Sequence, residues 1–329
     1  MELAGRPPSG DAKPSGPLDP SKPIDERSFD YVTVGHVTVD VIAADDSRRP
    51  GGGAFYSALQ AARLGLRALI LTQGVPLEIE ALLAPYRDEL ELRIVPAPAT
   101  TTFETSWTGG QRHQRVLAWA GPLAGPIEVD TRILHFAPVA RETLAACFDA
   151  HPPHAGFVGL TPQGLARTWG PRAGATYDAE AHEGAVEGGE VGGEIRSAPL
   201  PSDRDSLDAL LPHYCNAIVI SEQERAACAP LLAAAATDGA VLAVTAGPGA
   251  TSVELPGGEI TQVQAPAVAA PRDDLGAGDV FAAAFFVALH EGLSPTRAAS
   301  FANAAAAIRI EGLGADAIGD RRVIEARLP

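Results

Sequence analysis

From residue 29 onward the apolar positions come in short blocks separated by glycine, proline and acidic breaks. Their spacing switches between that of strands and that of helices. Residues 31–35 and 37–42 are β-branched runs and predict two strands. Pro50-Gly51-Gly52-Gly53 breaks the pattern, and the alanine-rich stretch 54–64, closed by Gly65, predicts a helix with a glycine stop. A strand over 66–72, a helix over 78–89 and a strand over 92–95 follow. This order predicts a parallel sheet with helical crossovers. The stretch 100–117 differs, because two alternating runs flank Gly109-Gly110, the pattern of a hairpin. It predicts a β-insertion, spanning about 97–127, on an α/β body. Alternation resumes with a strand at 133–136, a helix at 143–150, strands at 156–160 and 217–220, a helix at 222–235 and a strand at 241–245. Two long helices, 277–291 and 295–310, close the chain, with Ser294 as N-cap and Pro295 in the first helical position of the second.

Two segments lack any such pattern. Residues 1–28 are rich in Pro, Gly, Ser and Asp, and 173–202 are dense in Gly, Glu and Ala. The first reads as a disordered tail and the second as a solvated, mobile loop, because neither has enough large apolar side chains to offset the entropy of ordering. The expected organisation is a tail at 1–28 and one domain over 29–329.

The composition narrows the function classes. A formal net charge of −16 disfavours nucleic acid and anionic membrane as partners. It leaves room for an anionic small ligand, since backbone N–H groups and a metal ion act locally. The run 280–289 is too short to span a bilayer, and the N-terminus has no secretory pattern. Cys147, Cys215 and Cys228 form no CxxC pair. Together these read as a reduced, cytoplasmic protein.

The strongest chemical signal is Asp273-Asp274-Leu275-Gly276-Ala277-Gly278-Asp279 running into an apolar helix. Glycines at a helix start let the chain turn tightly and expose N–H groups, which suits a phosphate or a developing negative charge. Asp279, in the first turn, could accept the proton of an attacking hydroxyl. An ordinary helix start with a dipole-stabilising Asp has the same sequence. At the other end, Asp40 lies in the second strand and precedes Gly51-Gly52-Gly53. A carboxylate beside a glycine-rich turn could grip a polyol, or it could be a solvated strand residue. His151-Pro152-Pro153-His154 reads as a surface loop, not a metal site. Asp45-Asp46 reads as a solvated turn, and Cys215 and Cys228 as core thiols. No G-x-G-x-x-G follows the first strand and no Walker A sequence is present.

Taken in order, Gly35-x4-Asp40, Gly51-Gly52, a helix ending Ala62-Arg63-Leu64-Gly65, and a late Gly276-Ala277-Gly278-Asp279 resemble the ribokinase-like (PfkB) carbohydrate kinases, from about residue 29 to 328. Ser221-Glu222-Gln223-Glu224 resembles that family's Asn-x-x-Glu motif, Thr245-Ala246-Gly247-Pro248-Gly249 its Thr-x-Gly loop, and Asn303 a position near the adenine. The resemblance implies a three-layer α/β/α fold with a central, mainly parallel sheet and a small β-lid. It implies ATP and Mg²⁺, with Asp279 as catalytic base and Gly276, Ala277 and Gly278 as the anion hole. Asp40, Gly51, Gly52 and Tyr56 would line the acceptor pocket; Arg112 could reach a phosphate or the acceptor from the lid, or be an exposed lid residue. Ser221, Glu224, Thr245, Gly247, Gly249 and Asn303 would lie on the nucleotide side, with Glu224 holding the metal through water. A homodimer joined through the lid is among the assemblies it implies.

The pattern also departs from the family. Tyr56 stands where its sugar kinases carry Asn, Ser221 replaces the Asn of Asn-x-x-Glu, the Thr-x-Gly loop is one residue short, and Asp274 stands where Thr or Pro is usual. Tyr56 and the segment 101–114 lean toward the branch that includes myo-inositol kinases. The expected activity is therefore phosphorylation of a sugar or cyclitol hydroxyl. Two alternatives stay open: a nucleoside kinase, with Phe103 and Trp107 stacking a base, and a non-catalytic ATP- or sugar-binding protein.

Overall fold

The computed structural model describes residues 29–109, 111–123, 130–143, 154–169, 189–210 and 215–328. The tail at 1–28, most of the expected helix 143–150, the first part of the Gly/Glu-rich segment, Cys147 and most of His151–His154 lie outside the described residues.

The parallel strands arise where β-branched runs are buried on both faces. Strands β1 (Tyr31–Val34), β4 (Ala68–Gly74), β5 (Leu90–Pro96), β8 (Asp130–Phe136), β9 (His154–Leu160), β12 (Ala217–Ser221) and β13 (Val241–Thr245), with the hairpin β14 (Thr251–Glu254) and β15 (Ile260–Val263), form a nine-stranded sheet. Its order is β15-β14-β13-β12-β9-β8-β1-β4-β5. All pairs are parallel except β13–β14 and β14–β15. Completely buried Tyr31, Val34, Ile70 and Phe136 show why β1, β4 and β8 are central.

Helices cover both faces. Against one pack α1 (Gly53–Arg63), α2 (Pro76–Leu83), α5 (Ala277–His290), α6 (Pro295–Glu311) and α7 (Arg321–Ala326), with Phe55, Leu59, Phe281 and Phe285 in their core. Against the other pack α3 (Arg204–Leu210) and α4 (Arg225–Asp238), through Leu207, Cys228 and Leu231. The fold is the expected α/β/α sandwich. Within the expected helix 78–89 the α-helix stops at Leu83 and gives way to a single 3-10 turn over Ala84–Tyr86, because Pro85 supplies no N–H to the helical ladder. The hairpin β14–β15 and α7 had no counterpart in the sequence reading.

The lid is larger than the single hairpin expected. The hairpin itself forms, as β6 (Thr102–Thr108) paired with β7 (Gln111–Trp119). It belongs to a six-stranded sheet, β10-β11-β7-β6-β2-β3. Strand β2 (Thr38–Ile42) leaves the body to run parallel to β6, and β3 (Ser47–Gly51) pairs antiparallel with β2 at the edge, where Pro50 costs no ladder hydrogen bond. The expectation of a loop through 173–202 is corrected in its second half: Gly189–Ser197 is strand β11, paired with β7 and with β10 (Arg167–Trp169). Backbone pairing needs no large apolar side chain, so a glycine- and glutamate-rich segment can take a place inside a sheet, here between β10 and β7. Trp119 and Trp169 meet edge to face at 5.7 Å under this sheet, beside Phe103 and Val116. Asp45-Asp46 is the exposed turn between β2 and β3, with Asp46 at φ 53°. Among the described residues no helix is long and apolar enough to cross a membrane.

Candidate active site

The turn before α5 is built around one glycine. Gly276 is the N-cap of α5 at φ 75°, and a Cβ there would lie 2.3 Å from the ring of Tyr56. Both the left-handed backbone and the contact exclude a side chain. Ala277 N–H closes the turn onto the carbonyl of Asp274 at 3.2 Å. No side chain caps the helix, so its remaining first-turn amides are left without a side-chain acceptor, a setting that suits an anion. Tyr56 is only 4% exposed and packs beneath this turn instead of lining a pocket, and burial pushes its phenol well above the usual range.

Asp279 and Asp40 come from opposite ends of the chain to the two sides of one glycine run. A Cβ on Gly51 would fall 2.3 Å from Oδ2 of Asp40, and one on Gly53 would fall 2.9 Å from Oδ1 of Asp279. Gly52, between them, is the N-cap of α1 at φ 94°. Ser57, one turn into α1, donates to the backbone carbonyl of Asp279 at 3.1 Å. Asp40 is buried, not a solvated strand residue, and accepts from Thr38 Oγ1 at 2.8 Å.

The electrostatics suit a base. Burial raises the Asp279 carboxyl to about 7, with Arg167 and Arg112 pulling it down and Glu224 and Asp40 pushing it up. Burial likewise raises Asp40 to about 6 against the hydrogen bond from Thr38 and the charges of Arg167 and Arg112. A base must be deprotonated to work, so kcat/KM is expected to fall about tenfold per pH unit below about 7 and to level off above it. A pH–rate profile between pH 5 and 9 checks this; a flat profile through pH 6–7 would contradict Asp279 as the base.

Of the remaining expected residues, Ser221, Glu224, Thr245, Gly247 and Gly249 lie at or just beyond the C-terminal ends of β12 and β13, where parallel α/β sheets present their ligand-binding crevices. The carboxylate of Glu224, at the start of α4, accepts from Ser221 N–H at 2.8 Å and from Gln163 Nε2 at 2.5 Å. Ser221 thus contributes its backbone amide. Thr245 O accepts from Glu222 N–H at 2.8 Å, tying the two strand ends together. Gly247, at φ 58°, and Gly249 lie in the exposed turn beyond β13. Asn303 is buried, and its amide is engaged inside the protein: Oδ1 accepts from Thr251 Oγ1 at 2.9 Å and Nδ2 donates to Val263 O at 3.3 Å. From the lid, Nη1 of Arg112 lies 4.0 Å from Asp274. The pair considered for stacking a base is divided. Phe103 is 3% exposed inside the lid core and Trp107 is 47% exposed at the lid's outer end.

Three residues of the site carried no signal in the sequence. Arg309, 0% exposed, donates to the carboxylate of Asp273 at 3.0 Å and to its carbonyl at 3.1 Å, and stands 5.6 Å over the Tyr56 ring. In the sequence it looks like an ordinary last-turn arginine of α6. Glu142 is fully buried and accepts from the backbone N–H groups of His36, Val139 and Ala140, fixing the loop after β8. Arg167, on β10, is close enough to Asp279, Asp40 and Glu224 for their charges to act on it. Cys228 is a buried core thiol, as expected, and burial pushes it and Cys215 up to about 12.

A family model described as pfkB family carbohydrate kinase matches residues 194–320, which include Ser221–Glu224, Gly276–Asp279 and Asn303. Among curated proteins none matches the sequence. Three solved structures are similar over nearly the whole chain. One is a pyrophosphate-dependent kinase in the ribokinase family, complexed with a pyrophosphate analogue and myo-inositol (17% identity, 90% of this chain and 99% of that one, TM-score 0.68). Another is an Arabidopsis thaliana ribokinase complexed with ribose and ATP (17% identity, 91% and 98%, TM-score 0.62). The third is a nucleoside kinase from Methanocaldococcus jannaschii (16% identity, 91% and 98%, TM-score 0.63). At these identities the likeness is one of fold: a large mainly parallel sheet between helices with a separate lid sheet.

Proposed function

We propose that this chain is a phosphotransferase of the PfkB carbohydrate kinase type, acting on an alcohol group, and that it transfers the terminal phosphoryl group of Mg·ATP to a hydroxyl of a small sugar or cyclitol. The observation that carries the reading is the placement of Asp40 and Asp279 on either side of the Gly51–Gly53 run, with the uncapped start of α5 beside them.

Asp40 would hold acceptor hydroxyls and orient one of them toward phosphorus. Asp279, kept largely out of water, would take that hydroxyl's proton as the new bond to phosphorus forms. The first-turn amides of α5, framed by Gly276, Ala277 and Gly278, would hold the charge that develops on the transferring group. Arg112, opposite Asp274 across the cleft, would close the lid onto the bound molecules and exclude water. Mg²⁺ fits the donor chemistry at Glu224: each carboxylate oxygen accepts a single N–H, which leaves a lone pair for a metal-bound water. When bound, the metal supplies positive charge to the donor's phosphates. Among the described residues no group of three or more His, Cys, Asp or Glu is placed to hold a metal directly.

A second reading of the donor has its own support. The buried, internally bonded amide of Asn303 offers little to an adenine, and a structurally similar kinase is pyrophosphate-dependent. Inorganic pyrophosphate as donor would use the same base and the same amides. The deciding experiment pairs Mg·ATP and Mg·pyrophosphate in turn with myo-inositol, ribose, fructose, other hexoses and nucleosides, and follows ADP or phosphate release with Asp279→Asn as control. Turnover on a polyol that disappears in the variant supports the reading and names donor and acceptor. Turnover on nucleosides alone would replace the acceptor class, and no turnover with intact donor binding would favour a binding protein.

A further inference from the structure

Arg167 sits in an unusual setting for a guanidinium. It is partly buried in strand β10 at the seam between lid and body. Nη1 donates to the carbonyl of Val139 at 3.0 Å, Nη2 donates to Oε1 of Gln114 at 3.3 Å, and the group lies 5.6 Å over the ring of Phe103. Among the described residues these partners are all neutral, and no carboxylate stands within 4.0 Å of it. A charge drawn out of water is ordinarily paired.

Its mounting is rigid. Val139 belongs to the loop pinned by buried Glu142, and Gly164 N–H donates to Pro138 O at 3.1 Å. The same loop supplies Ala137, whose Cβ shares the Gly53 wall with Asp279. On the other side Gln163, four residues before Arg167, holds Glu224 at 2.5 Å. The mounting of Arg167 is thus tied on one side to the loop that borders Asp279 and on the other to the segment that holds Glu224. A guanidinium has five N–H donors in a planar fork, and two of them are used here. The charges of Asp279, Asp40 and Glu224 all act on Arg167, and together these carboxylates would repel an incoming polyphosphate.

We propose that Arg167 is a catalytic residue that contacts the phosphoryl group in flight, bridging it from the lid side while the α5 amides hold it from the body side. The inference rests on the kinase reading above and goes beyond it. In the step itself, the bond from the acceptor oxygen to phosphorus forms and the bond from phosphorus to the donor's bridging oxygen breaks. The acceptor's proton passes to Asp279, the leaving phosphate or ADP keeps the electron pair, and Arg167 exchanges no proton. Its contribution is fixed positive charge where the transferring group needs it, whether the donor is ATP or pyrophosphate.

The test compares Arg167→Ala and Arg167→Lys with the unmodified protein, after melting curves confirm that each folds. Kinetics use both Mg·ATP and Mg·pyrophosphate with the best acceptor from the panel, and calorimetry follows binding of imidodiphosphate, a non-transferring pyrophosphate analogue. Arg167→Ala is expected to lower kcat about 10²–10³-fold with every active donor, a range set by arginines that act on transferring phosphoryl groups. The lysine variant should recover part of this, and millimolar guanidinium should partly rescue the alanine variant. Loss of the nearby positive charge should also move the acid limb of the pH profile to higher pH, because Arg167 holds Asp279 down. Imidodiphosphate should bind at least about tenfold more weakly. A kcat within threefold of the unmodified protein, or a rise confined to the acceptor KM, would overturn the proposal and reassign Arg167 to packing or to the acceptor. If the unmodified protein turns over no acceptor, the kinase reading is what fails, and imidodiphosphate affinity then decides Arg167 alone: equal affinity in the alanine variant overturns its role.

Discussion

Replacing Asp279 by asparagine is expected to lower kcat by about 10²–10⁴-fold and, at pH 8, to make the protein more stable. The two effects have one cause. The carboxyl is buried and holds its proton up to about 7, against an ordinary value of 3.8. The folded state therefore binds that proton more tightly than the unfolded chain does. Stability attributable to this group is greatest at low pH and declines as pH rises from about 4 to about 7. Above that range the folded protein carries an ionised carboxylate in a place that disfavours it. An uncharged amide of the same shape removes the cost, on the order of 4 kcal/mol for a shift from 3.8 to about 7. Two measurements at pH 8 check it, turnover and a urea midpoint. Unchanged turnover would remove Asp279 from the chemistry, and lower stability in the variant would mean that the ionised carboxylate is better solvated than its setting implies. The gain should vanish below about pH 3, where the carboxyl is protonated in both the folded and the unfolded chain.

Asp273→Ala is expected to cost about 3–5 kcal/mol and to slow catalysis as well, the range for breaking a buried ion pair by removing one partner. Arg309 is wholly buried, and Asp273 is the carboxylate it reaches. Burial alone would raise the Asp273 carboxyl, yet N–H groups of Gly314 and Leu275 and the charge of Arg309 hold it below the usual range. One side chain thus gathers the end of α6, the 314 loop and the turn that leads into Gly276. Without it the guanidinium is stranded, and the turn that presents the proposed anion-binding amides loses its tie. Urea unfolding at pH 7.5 reads the stability and kcat reads the turn. Adding Arg309→Met to Asp273→Ala should recover part of the stability, because the stranded charge goes with it, but not the rate. A loss under about 1 kcal/mol in the single variant would show that water reaches Arg309.

Much of the site was legible along the chain. Gly276–Asp279 and the Asp40/Gly51–Gly53 pair were visible because each is a local device, in which glycines and a carboxylate must sit at set spacings whatever surrounds them. Asn303 and Tyr56 were legible only as positions. The structure buries both, one bonded inside the hairpin end and one beneath the anion turn. The lid shows the same division. The Gly109-Gly110 hairpin could be read from its turn chemistry, whereas β2, β3, β10 and β11 could not be assigned to the lid, since strand partners far apart in sequence leave no local trace.

By itself, the order of residues determined the α/β alternation, the helix caps, the glycine turns and the carboxylate that starts α5, because backbone sterics and hydrophobic periodicity act within a few residues. Only the tertiary structure decided that Asp40 and Asp279 share one glycine wall, that Arg309 is buried on Asp273, and that Arg167 is held by neutral partners at the seam between lid and body. It also turned Gly189–Ser197 from a polar stretch into a strand. The physical reason is that burial, charge coupling and sheet pairing depend on distances through space, and an isolated arginine or a glycine-rich segment reads the same on the chain whether the fold leaves it in water or encloses it.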